Sequence, residues 1–375
     1  MSDEWDVVIA GAGIVGAACA RECVTRGLRT AIVEPGEIGG GATAAGMGHI
    51  VVMDDSPAQL ALTSYSQRLW HELSSNLPHS VEYEQRGTIW VASDEEEMEE
   101  VHRKRALYAS VGIASEVLDS RALAEAEPNL RRPLAGGLLV PSDAVLYPPC
   151  AAEYLVQESL RNGARLYAGR RVKSAGGGMV RLDDGTELHA SRIVNALGAD
   201  ATGLLPELPI RNRKGHLVIT DRYPGFVHHQ LVELGYLKSA HSITTDSVAF
   251  NIQPRKTGQV LIGSSRQYDS EDTVVDHQMV STMIERARCF MPGIGALSSI
   301  RIWTGFRAAT PDKLPLIGPW PGDKTLFLAA GHEGLGITTS LGTAQLLADH
   351  LLGSRTKIPI EPYLPERFVR SAAHA

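Results

Sequence analysis

Apolar and polar residues along the first 35 positions follow the order of a strand, a helix and a second strand. Residues 7–10 form a short apolar run of the buried-strand type, residues 14–26 repeat apolar positions with helical spacing, and residues 30–33 form another apolar run. The helical stretch is followed by Gly27, a residue type that commonly ends helices. This pattern predicts one β-α-β unit at the start of the chain.

The rest of the chain alternates between the same two kinds of pattern. Helical spacing predicts helices within residues 56–77, 94–112, 122–130 and 280–291, and in the second half of 328–353, where Gly353 is a stop signal. Residues 150–175 read as a helix followed by a strand, and the turn Asp184-Gly185 predicts a hairpin. Strand patterns cover 87–93, 192–198, 325–331 and much of 211–310.

Segments of the nucleotide-binding type therefore occur at the start, the middle and the end of the chain, with antiparallel-looking strands between them. This arrangement predicts a mixed α/β protein in which two domains are built from interleaved segments. We assign residues 1–85, 145–210 and 310–365 to a Rossmann-like cofactor-binding domain. Residues 86–144 and 211–309 then form an antiparallel-sheet domain that binds the substrate.

Composition and charge are those of an ordinary globular protein. The chain has 375 residues, of which 43% are hydrophobic and 21% are charged, and its net charge is −7. The negative charge argues against nucleic acid as a partner, and no apolar run approaches the ~20 residues of a transmembrane helix. The acidic first residues enter a strand almost at once, unlike a signal or transit peptide. We therefore expect a cytoplasmic protein that meets a membrane only through partners.

Cysteine and histidine positions predict no metal site. The four cysteines form no CxxC pair, and Cys19 and Cys23 lie one helical turn apart. We expect both to be small buried residues in a reducing compartment. His228 and His229 are adjacent but have no third ligand at a useful spacing, so we expect them in a solvated loop.

The stretch "GAGIVG" supplies Gly11, Gly13 and Gly16 in the G-x-G-x-x-G spacing. The first glycine permits a tight turn, the second lets a pyrophosphate approach a helix N-terminus, and the third lets helix and strand pack closely. The next strand ends in Glu34, whose carboxylate can accept hydrogen bonds from ribose hydroxyls and would repel a 2′-phosphate. We therefore predict a dinucleotide other than NADP.

Further glycine-rich segments favour FAD over NAD as this dinucleotide. Residues 39–49 (GGGATAAGMGH) follow Glu34, a strand ends near Gly198, and three glycines open the last predicted helix in "LAAGHEGLGITTSLG". Glycine inside regular structure costs roughly 1 kcal/mol per residue, so this helix start requires bare backbone. Contacts from so many distant segments suit a long, enclosed flavin nucleotide better than a nicotinamide cofactor.

Together these motifs resemble those of the FAD-dependent amine and D-amino-acid oxidoreductases, the family that contains glycine oxidase, sarcosine oxidase and D-amino-acid oxidase. The likeness covers nearly the whole chain and rests on "VVIAGAGIVGAACA", Glu34, "GGGATAAGMGH", "IVNALGAD", "WTGFRAATPDKLPLIGP" and "LAAGHEGLGITTSLG". A finer likeness, carried by "AFNIQPRKTGQVLIGSSRQ" and "GHEGLGIT", is to D-hydroxyproline dehydrogenase subunits and to the oxidase-like subunit of hydrogen cyanide synthase.

The resemblance implies FAD as the cofactor. Some relatives attach FAD through a cysteine just before "TPD", and "GFRAATPD" has none, so noncovalent FAD is expected. The last helix start then lies against the flavin, where backbone N–H groups and the helix dipole stabilise negative charge. The predicted cofactor contacts are Gly11, Gly13, Ile14, Gly16, Glu34, Pro35, Thr43, Ala44, Met47, Gly48, His49, Val172, Ala196, Gly198, Gly334, Leu335, Gly336, Ile337 and Thr338.

The resemblance also implies a set of catalytic residues. Arg307 matches the family arginine that holds the substrate carboxylate, usually through two parallel hydrogen bonds. His332 or Glu333 meets the substrate amine, a ring hydroxyl or a proton in transit, unless both only cap their loop. His49 matches a basic group beside the flavin. Asn251 stands where glycine oxidase-like members have a substrate-facing tyrosine, so the role of a tyrosine does not transfer.

On this resemblance we expect a dehydrogenase that oxidises the C–N bond of a D-amino or cyclic imino acid, such as a hydroxyproline, by hydride transfer to flavin N5. A glycine, sarcosine or D-amino-acid oxidase that makes hydrogen peroxide stays an alternative, as does a flavin-carrying electron-relay subunit of a complex. The oxygen-assisting lysine of sarcosine oxidase-like members is missing from "AGMGH", "GFRAAT" and "GHEGLGIT", and Lys313 lies beyond them. We therefore expect electrons to pass to partner electron-transfer subunits.

Overall fold

The protein is described here by a computed structural model that covers residues 4–235, 246–268, 270 and 272–368. Its strands are β1 (Glu4–Ala10), β2 (Thr30–Glu34), β3 (His49–Ile50), β4 (Thr88–Ala92), β5 (Glu116–Asp119), β6 (Gly136–Val140), β7 (Ala144–Val145), β8 (Arg165–Ala168), β9 (Val172–Gly176), β10 (Met179–Leu182), β11 (Glu187–Asn195), β12 (Arg211–Arg222), β13 (Gln230–Glu233), β14 (Ser247–Pro254), β15 (Gln259–Arg266), β16 (Ser299–Ala309), β17 (Leu316–Trp320) and β18 (Asp323–Ala330). Its helices are α1 (Ile14–Thr25), α2 (Ala42–Ala45), α3 (Pro57–Ser74), α4 (Glu95–Ser110), α5 (Ser120–Ala126), α6 (Pro148–Arg161), α7 (Ala201–Leu204), α8 (His277–Phe290) and α9 (Gly336–Leu351).

The first sheet has the order β17-β18-β11-β1-β2-β8, and β10 and β9 continue from β11 as a further branch. β18, β11, β1, β2 and β8 run parallel to one another. The central register pairs Val8 with Ala31 and with Ile193, and all three side chains are fully buried. Such apolar strands are typical of a parallel sheet covered on both faces. The predicted β-α-β unit is confirmed as β1, α1 and β2.

Helices α1, α6 and α9 pack together over one face of the first sheet. The face of α1 that they cover consists of small residues, among them Cys19 and Cys23, which are free thiols and fully buried as predicted. Small side chains let the helix backbones approach closely, so α1 lies between α6 and α9. Gly353 follows the end of α9 with a positive φ of 64°, which confirms it as the helix stop.

The second sheet has the order β16-β12-β15-β14-β13-β4-β6-β5. Its neighbours are antiparallel except β13 and β4, which run parallel. The sheet is therefore antiparallel as predicted, with one parallel pair that the sequence does not predict. The two strands are far apart in the chain, so no hairpin fixes their relative direction. Helix α8 packs across β14 and β15.

The strands of the two sheets come from different segments of the chain. Every strand of the second sheet lies within residues 86–144 and 211–309, and every strand of the first sheet lies within 1–85, 145–210 and 310–365. The fold class is the mixed α/β arrangement that the sequence predicts. We keep the boundaries between two domains at these positions as a proposal.

The loop at His228 and His229 is held by a buried carboxylate and is not simply solvated. Glu127, which has no exposed surface, accepts hydrogen bonds from the backbone N–H groups of both histidines, at 3.0 and 2.6 Å. His229 Nδ1 lies 2.8 Å from the same oxygen. Within the described ranges no three His, Cys, Asp or Glu side chains come together as a metal site would require. Over the same residues, no helix has the length and apolar character needed to span a bilayer.

Candidate active site

A cavity of about 860 Å³ opens between the two sheets, at the edge where the parallel strands end. Gly11 follows β1, Glu34 ends β2, Ala196 follows β11 and Gly331 follows β18, and all four line the cavity. This edge is where open α/β sheets bind their ligands. The volume is near the upper end of the ~300–1,000 Å³ typical of ligand pockets, which suits a site that must hold both a bulky cofactor and a substrate.

Most of the predicted site residues line this cavity although they come from distant segments. The predicted residues found in its wall are Gly11, Gly13, Ile14, Glu34, Pro35, Thr43, Met47, Gly48, His49, Val172, Ala196, Gly198, Asn251, Arg307, His332, Glu333, Gly334, Leu335, Gly336 and Ile337. Gly16, Ala44 and Thr338 lie outside the wall. Gly16 packs beneath the glycine turn, where a Cβ would lie 3.0 Å from the carbonyl carbon of Gly11. The Thr338 hydroxyl donates to the His49 carbonyl at 2.8 Å, which fixes the last helix against a wall segment.

Glu34 accepts a backbone hydrogen bond at each carboxylate oxygen, one from the glycine turn and one from the residues that follow β2. Its Oε2 accepts a hydrogen bond from the Ala12 backbone N–H at 2.7 Å, and its Oε1 accepts one from Gly36 N–H at 2.9 Å. Gly11 has a φ of 103°, and a Cβ there would lie 2.7 Å from the Ala196 carbonyl oxygen. Only glycine therefore allows β1 to turn so close to the end of β11. The Glu34 carboxylate lies in the cavity wall beside this turn.

Two helix N-termini face the cavity. Residues 13–15 at the start of α1 and residues 335–337 at the start of α9 are part of its wall. Neither helix has a capping hydrogen bond from its own N-cap side chain. At α1 the Ile14 N–H instead donates to the Thr43 hydroxyl at 3.0 Å. The N–H groups of a first helical turn have no partner within the helix and carry the positive end of its dipole. Two such ends at one cavity fit a long anionic cofactor such as FAD.

Arg307 lies near the end of β16 and reaches across to β15. Its Nη1 donates to the Ser265 carbonyl at 2.9 Å. Two glycines make room for it: a Cβ on Gly215 would lie 2.9 Å from the guanidinium carbon, and a Cβ on Gly334 would lie 3.1 Å from Arg307 Cδ. The guanidinium therefore stands in the cavity wall directly beside the loop that opens α9.

Glu333 forms a buried ion pair with Arg213 across the cavity wall, and each side chain is 9% exposed. The backbone N–H of Glu333 donates to the Ala308 carbonyl at 2.9 Å, so this loop is tied to β16 as well. Burial raises the pKa of the Glu333 carboxyl, while the nearby cations Arg213, Arg266, Lys313 and Arg307 act to lower it. The ion pair joins the last segment of the chain to the second sheet.

His332 is buried and His49 is half-buried, and in both the surroundings favour the neutral imidazole. Burial lowers the pKa of His332 to about 4 and that of His49 to about 3. His332 Nε2 lies 3.1 Å from the Thr343 hydroxyl on α9, whereas His49 Nε2 has no partner among the described residues. Neutral imidazoles can exchange hydrogen bonds with a ligand without adding charge to the cavity.

Several residues in the wall are absent from the predicted set. Trp90 on β4 and Gln230 on β13 line the cavity, and both lie in buried strands whose apolar pattern alone gives no sign of a site. Lys313, expected to lie apart, is also in the wall, with its Nζ 3.7 Å from Asp55 Oδ2.

Comparison with known proteins identifies the family of the chain. The family model described as FAD dependent oxidoreductase matches residues 6–350. The glycine oxidase of Geobacillus kaustophilus (strain HTA426) is 30% identical over 387 residues, covering 98% of each chain. The hydrogen cyanide synthase subunit HcnC of Pseudomonas aeruginosa is 28% identical over 422 residues, covering 98% of this chain and 97% of the other. The crystal structure of glycine oxidase from Geobacillus kaustophilus superposes with a TM-score of 0.86 at 27% identity, over 97% of this chain and 99% of that one.

Proposed function

Because the chain belongs to the family of FAD-dependent oxidoreductases that contains these relatives, we propose that it oxidises the C–N bond of a D-amino or cyclic imino acid, of the proline or hydroxyproline kind. Electrons pass on to a partner subunit or another acceptor. The single observation that carries the proposal is the position of Arg307. Its guanidinium lies beside Gly334, at the start of the helix that faces the cofactor site.

In this proposal Arg307 holds the substrate carboxylate. A guanidinium presents parallel N–H donors that match the two oxygens of a carboxylate. Its Nη1 is already oriented by the Ser265 carbonyl, so the side chain loses little freedom when the substrate binds. Anchoring the carboxylate there directs the substrate α-carbon toward the start of α9, which is the geometry that a hydride transfer needs.

The charges around Glu333 promote loss of the ammonium proton from the substrate. Arg213, Arg266, Arg307 and Lys313 all lie close enough to act on the pKa of Glu333. A further positive charge among these cations is disfavoured, so the pKa of a bound substrate ammonium is lowered. The neutral amine has a free electron pair on its nitrogen, and oxidation of the C–N bond requires that pair.

FAD, when bound, supplies the chemistry of the reaction by accepting the hydride at N5. Glu34 would hold the ribose, the start of α1 with Thr43 would hold the pyrophosphate, and the start of α9 would face the flavin ring. The absence of a cysteine just before "TPD" supports noncovalent binding. Because His49 and His332 are neutral, neither adds positive charge to that of the helix dipoles and of Arg307 at the cofactor site.

Two routes are open to the electrons of the reduced flavin, transfer to a partner and reaction with oxygen. Similarity to HcnC, which is named as a subunit of a synthase, supports transfer to a partner. Similarity to a glycine oxidase supports an oxidase that makes hydrogen peroxide, as does Lys313 in the cavity wall, a cation of the kind that assists oxygen. The pairing of Lys313 with Asp55 offsets part of that charge, which favours the acceptor route.

A substrate panel with two electron acceptors tests the proposal. The purified FAD-loaded chain is given D- and L-proline, their 4-hydroxy derivatives, glycine, sarcosine and D-alanine. Dye reduction and peroxide formation are followed side by side. We expect the fastest dye reduction with a D-imino acid, little peroxide, and loss of both signals in Arg307→Met.

Three results would overturn the proposal in different ways. A preference for glycine or sarcosine would reject the substrate class and favour the glycine oxidase alternative. Rapid reoxidation of the substrate-reduced protein by air-saturated buffer, with one peroxide formed per turnover and no partner present, would reject the acceptor route. No turnover with any substrate in the panel would favour an electron-relay subunit.

A further inference from the structure

One wall of the cavity is formed by neighbouring strands of the second sheet. Val232 on β13 pairs with Trp90 on β4 and with Asn251 on β14, so these three residues lie in one row across the sheet. Gln230 lies two residues before Val232 and therefore on the same face. All four line the cavity. This wall is separate from the glycine-rich segments that fit the cofactor.

Three residues of this wall have a buried polar atom that has no hydrogen-bond partner among the described residues. These atoms are Trp90 Nε1, Gln230 Oε1 and Asn251 Oδ1. The exposed fractions of the three side chains are only 2%, 2% and 9%. Buried polar groups in native proteins are nearly always paired, so a group of three on one wall indicates that a polar group of a ligand binds there.

The chemistry of the three atoms points to a hydroxyl group. Trp90 Nε1 is a donor only, and the amide oxygens of Gln230 and Asn251 are acceptors. A hydroxyl accepts from Trp90 Nε1 and donates its one proton to one of the two amide oxygens, whereas a carboxylate donates nothing and an ammonium accepts nothing. The amide groups of Gln230 and Asn251 each carry an oxygen acceptor and an NH2 donor. If either amide group is rotated by 180°, it therefore still presents a hydrogen-bonding group to a hydroxyl. An apolar substituent would leave all three atoms unpaired.

The wall lies within reach of the carboxylate anchor. The Arg307 guanidinium stands over β15 at the level of Ser265, and Asn251 on the adjacent β14 pairs with Gly263. The backbone positions of Ser265 and Asn251 differ by one strand spacing of ~4.8 Å and by two residues along a strand, ~6.8 Å. They therefore lie about 8 Å apart. A carboxylate and a hydroxyl that are two or three bonds apart on a small ring span this gap with one hydrogen bond at each end.

We propose that Trp90, Gln230 and Asn251 form a subsite for a hydroxyl group on the substrate, so that the chain selects a hydroxylated amino or imino acid over its unsubstituted counterpart. The proposal rests on the function proposed above and names the substrate feature that this wall recognises. Sites built to hydrogen-bond a substrate hydroxyl reject analogues that lack it far more strongly than apolar pockets reject a missing methylene.

A binding experiment that needs no turnover tests the subsite. The FAD-loaded chain is titrated with cyclopentanecarboxylate and with 3-hydroxycyclopentanecarboxylate, which have the ring and the carboxylate but no amine to oxidise. Binding is read from calorimetry and from the flavin absorption spectrum. We expect the hydroxylated compound to bind at least about tenfold more tightly. Asn251→Leu and Gln230→Met should each reduce this ratio to within about twofold of one.

Turnover gives the second measurement. The ratio of kcat/KM for 4-hydroxy-D-proline to that for D-proline should be at least ~100 in the wild type and fall below ~10 in Asn251→Leu. Val232→Ala is the matched control, because Val232 stands in the same row and forms no side-chain hydrogen bond. This variant should change kcat/KM for both substrates by the same factor, so that the ratio stays at its wild-type value.

The outcomes separate the subsite from the proposed function. Equal binding of the two ring acids, or an undiminished hydroxyl preference in both Asn251→Leu and Gln230→Met, would overturn the subsite even if D-proline is oxidised well. Tighter binding of the hydroxylated acid with no oxidation of any imino acid would keep the subsite and reject the proposed reaction.

Discussion

Gly215→Ala is expected to displace the Arg307 guanidinium without removing its charge. A Cβ at this position would overlap Nη1 and lie 2.9 Å from Cζ and Nη2, whereas relaxed contacts between such atoms begin at ~3.5 Å. The guanidinium ends a flexible side chain, so it moves by about 1 Å while the β12 backbone stays in place. A misplacement of that size can cost ~100-fold in rate, which corresponds to about 2.7 kcal/mol of transition-state stabilisation. We expect kcat/KM for the preferred substrate to fall accordingly in dye-coupled initial-rate assays, with unchanged flavin content.

The same substitution in an Arg307→Met background isolates this effect. Methionine lacks the atoms that the new methyl group meets, so Gly215→Ala should then change kcat/KM by less than about threefold. Gly293→Ala controls for the loss of a glycine, because Gly293 lies outside the cavity wall and its added Cβ would meet only the Phe226 ring, at 3.4 Å. Wild-type kcat/KM in Gly215→Ala, or an equally large loss when the guanidinium is already gone, would refute Arg307 as the carboxylate anchor.

Three further predictions concern the cofactor, the substrate and the pH dependence of stability. Glu34→Ala removes the acceptor for two backbone N–H groups and for the ribose, so the variant should purify largely as apoprotein; full flavin absorbance at 450 nm would contradict this. Arg307→Met should keep FAD but raise KM by roughly 100-fold or more, since losing one partner of a charged hydrogen-bonded pair costs 2–5 kcal/mol; unchanged flavin-reduction kinetics would disprove the assignment. Burial lowers the pKa of His332 to about 4, so the unfolded chain binds a proton below pH 6.5 that the folded chain does not, and this group loses stability as the pH falls toward 4. From pH 8 to pH 5, with FAD in excess, urea unfolding should show the wild type losing about 2 kcal/mol more than His332→Asn; equal losses would mean that His332 is protonated in the folded state.

The sequence predicts the glycine-rich side of the cavity well because that side depends on local chemistry. The turn at Gly11, the acidic residue at the end of β2 and the glycines before α9 each occur where a backbone must turn sharply or approach a ligand. Such requirements restrict the residue type at one position, so a spacing pattern reveals them. The boundaries of α1 and the stop at Gly353 follow from the same kind of local rule.

The wall formed by β4, β13 and β14 is harder to predict from the sequence, because it depends on how strands from distant segments pair. Trp90 and Asn251 become neighbours of Val232 only through the register of β4, β13 and β14, and nothing in the alternation of apolar residues fixes that register between distant segments. The ion pair of Arg213 with Glu333 joins residues on separate segments for the same reason. Lys313 lies in the cavity wall although the sequence places it beyond the segments predicted at the flavin, because distance along the chain does not give distance in space.

The interleaving of segments sets the order in which a newly made chain can become an enzyme. β1 lies between β2 and β11, and the row of parallel strands is complete only when β18 joins β11. The cavity wall likewise extends from Gly11 to Ile337. During synthesis more than three hundred residues must follow the first glycine turn before the opposite wall of the cavity can form. FAD can therefore be enclosed only after residue 337 has left the ribosome. Long-range pairing of this kind also slows folding. Enclosure of FAD therefore comes late in the synthesis of the described segments, and it depends on free FAD being present while these segments fold.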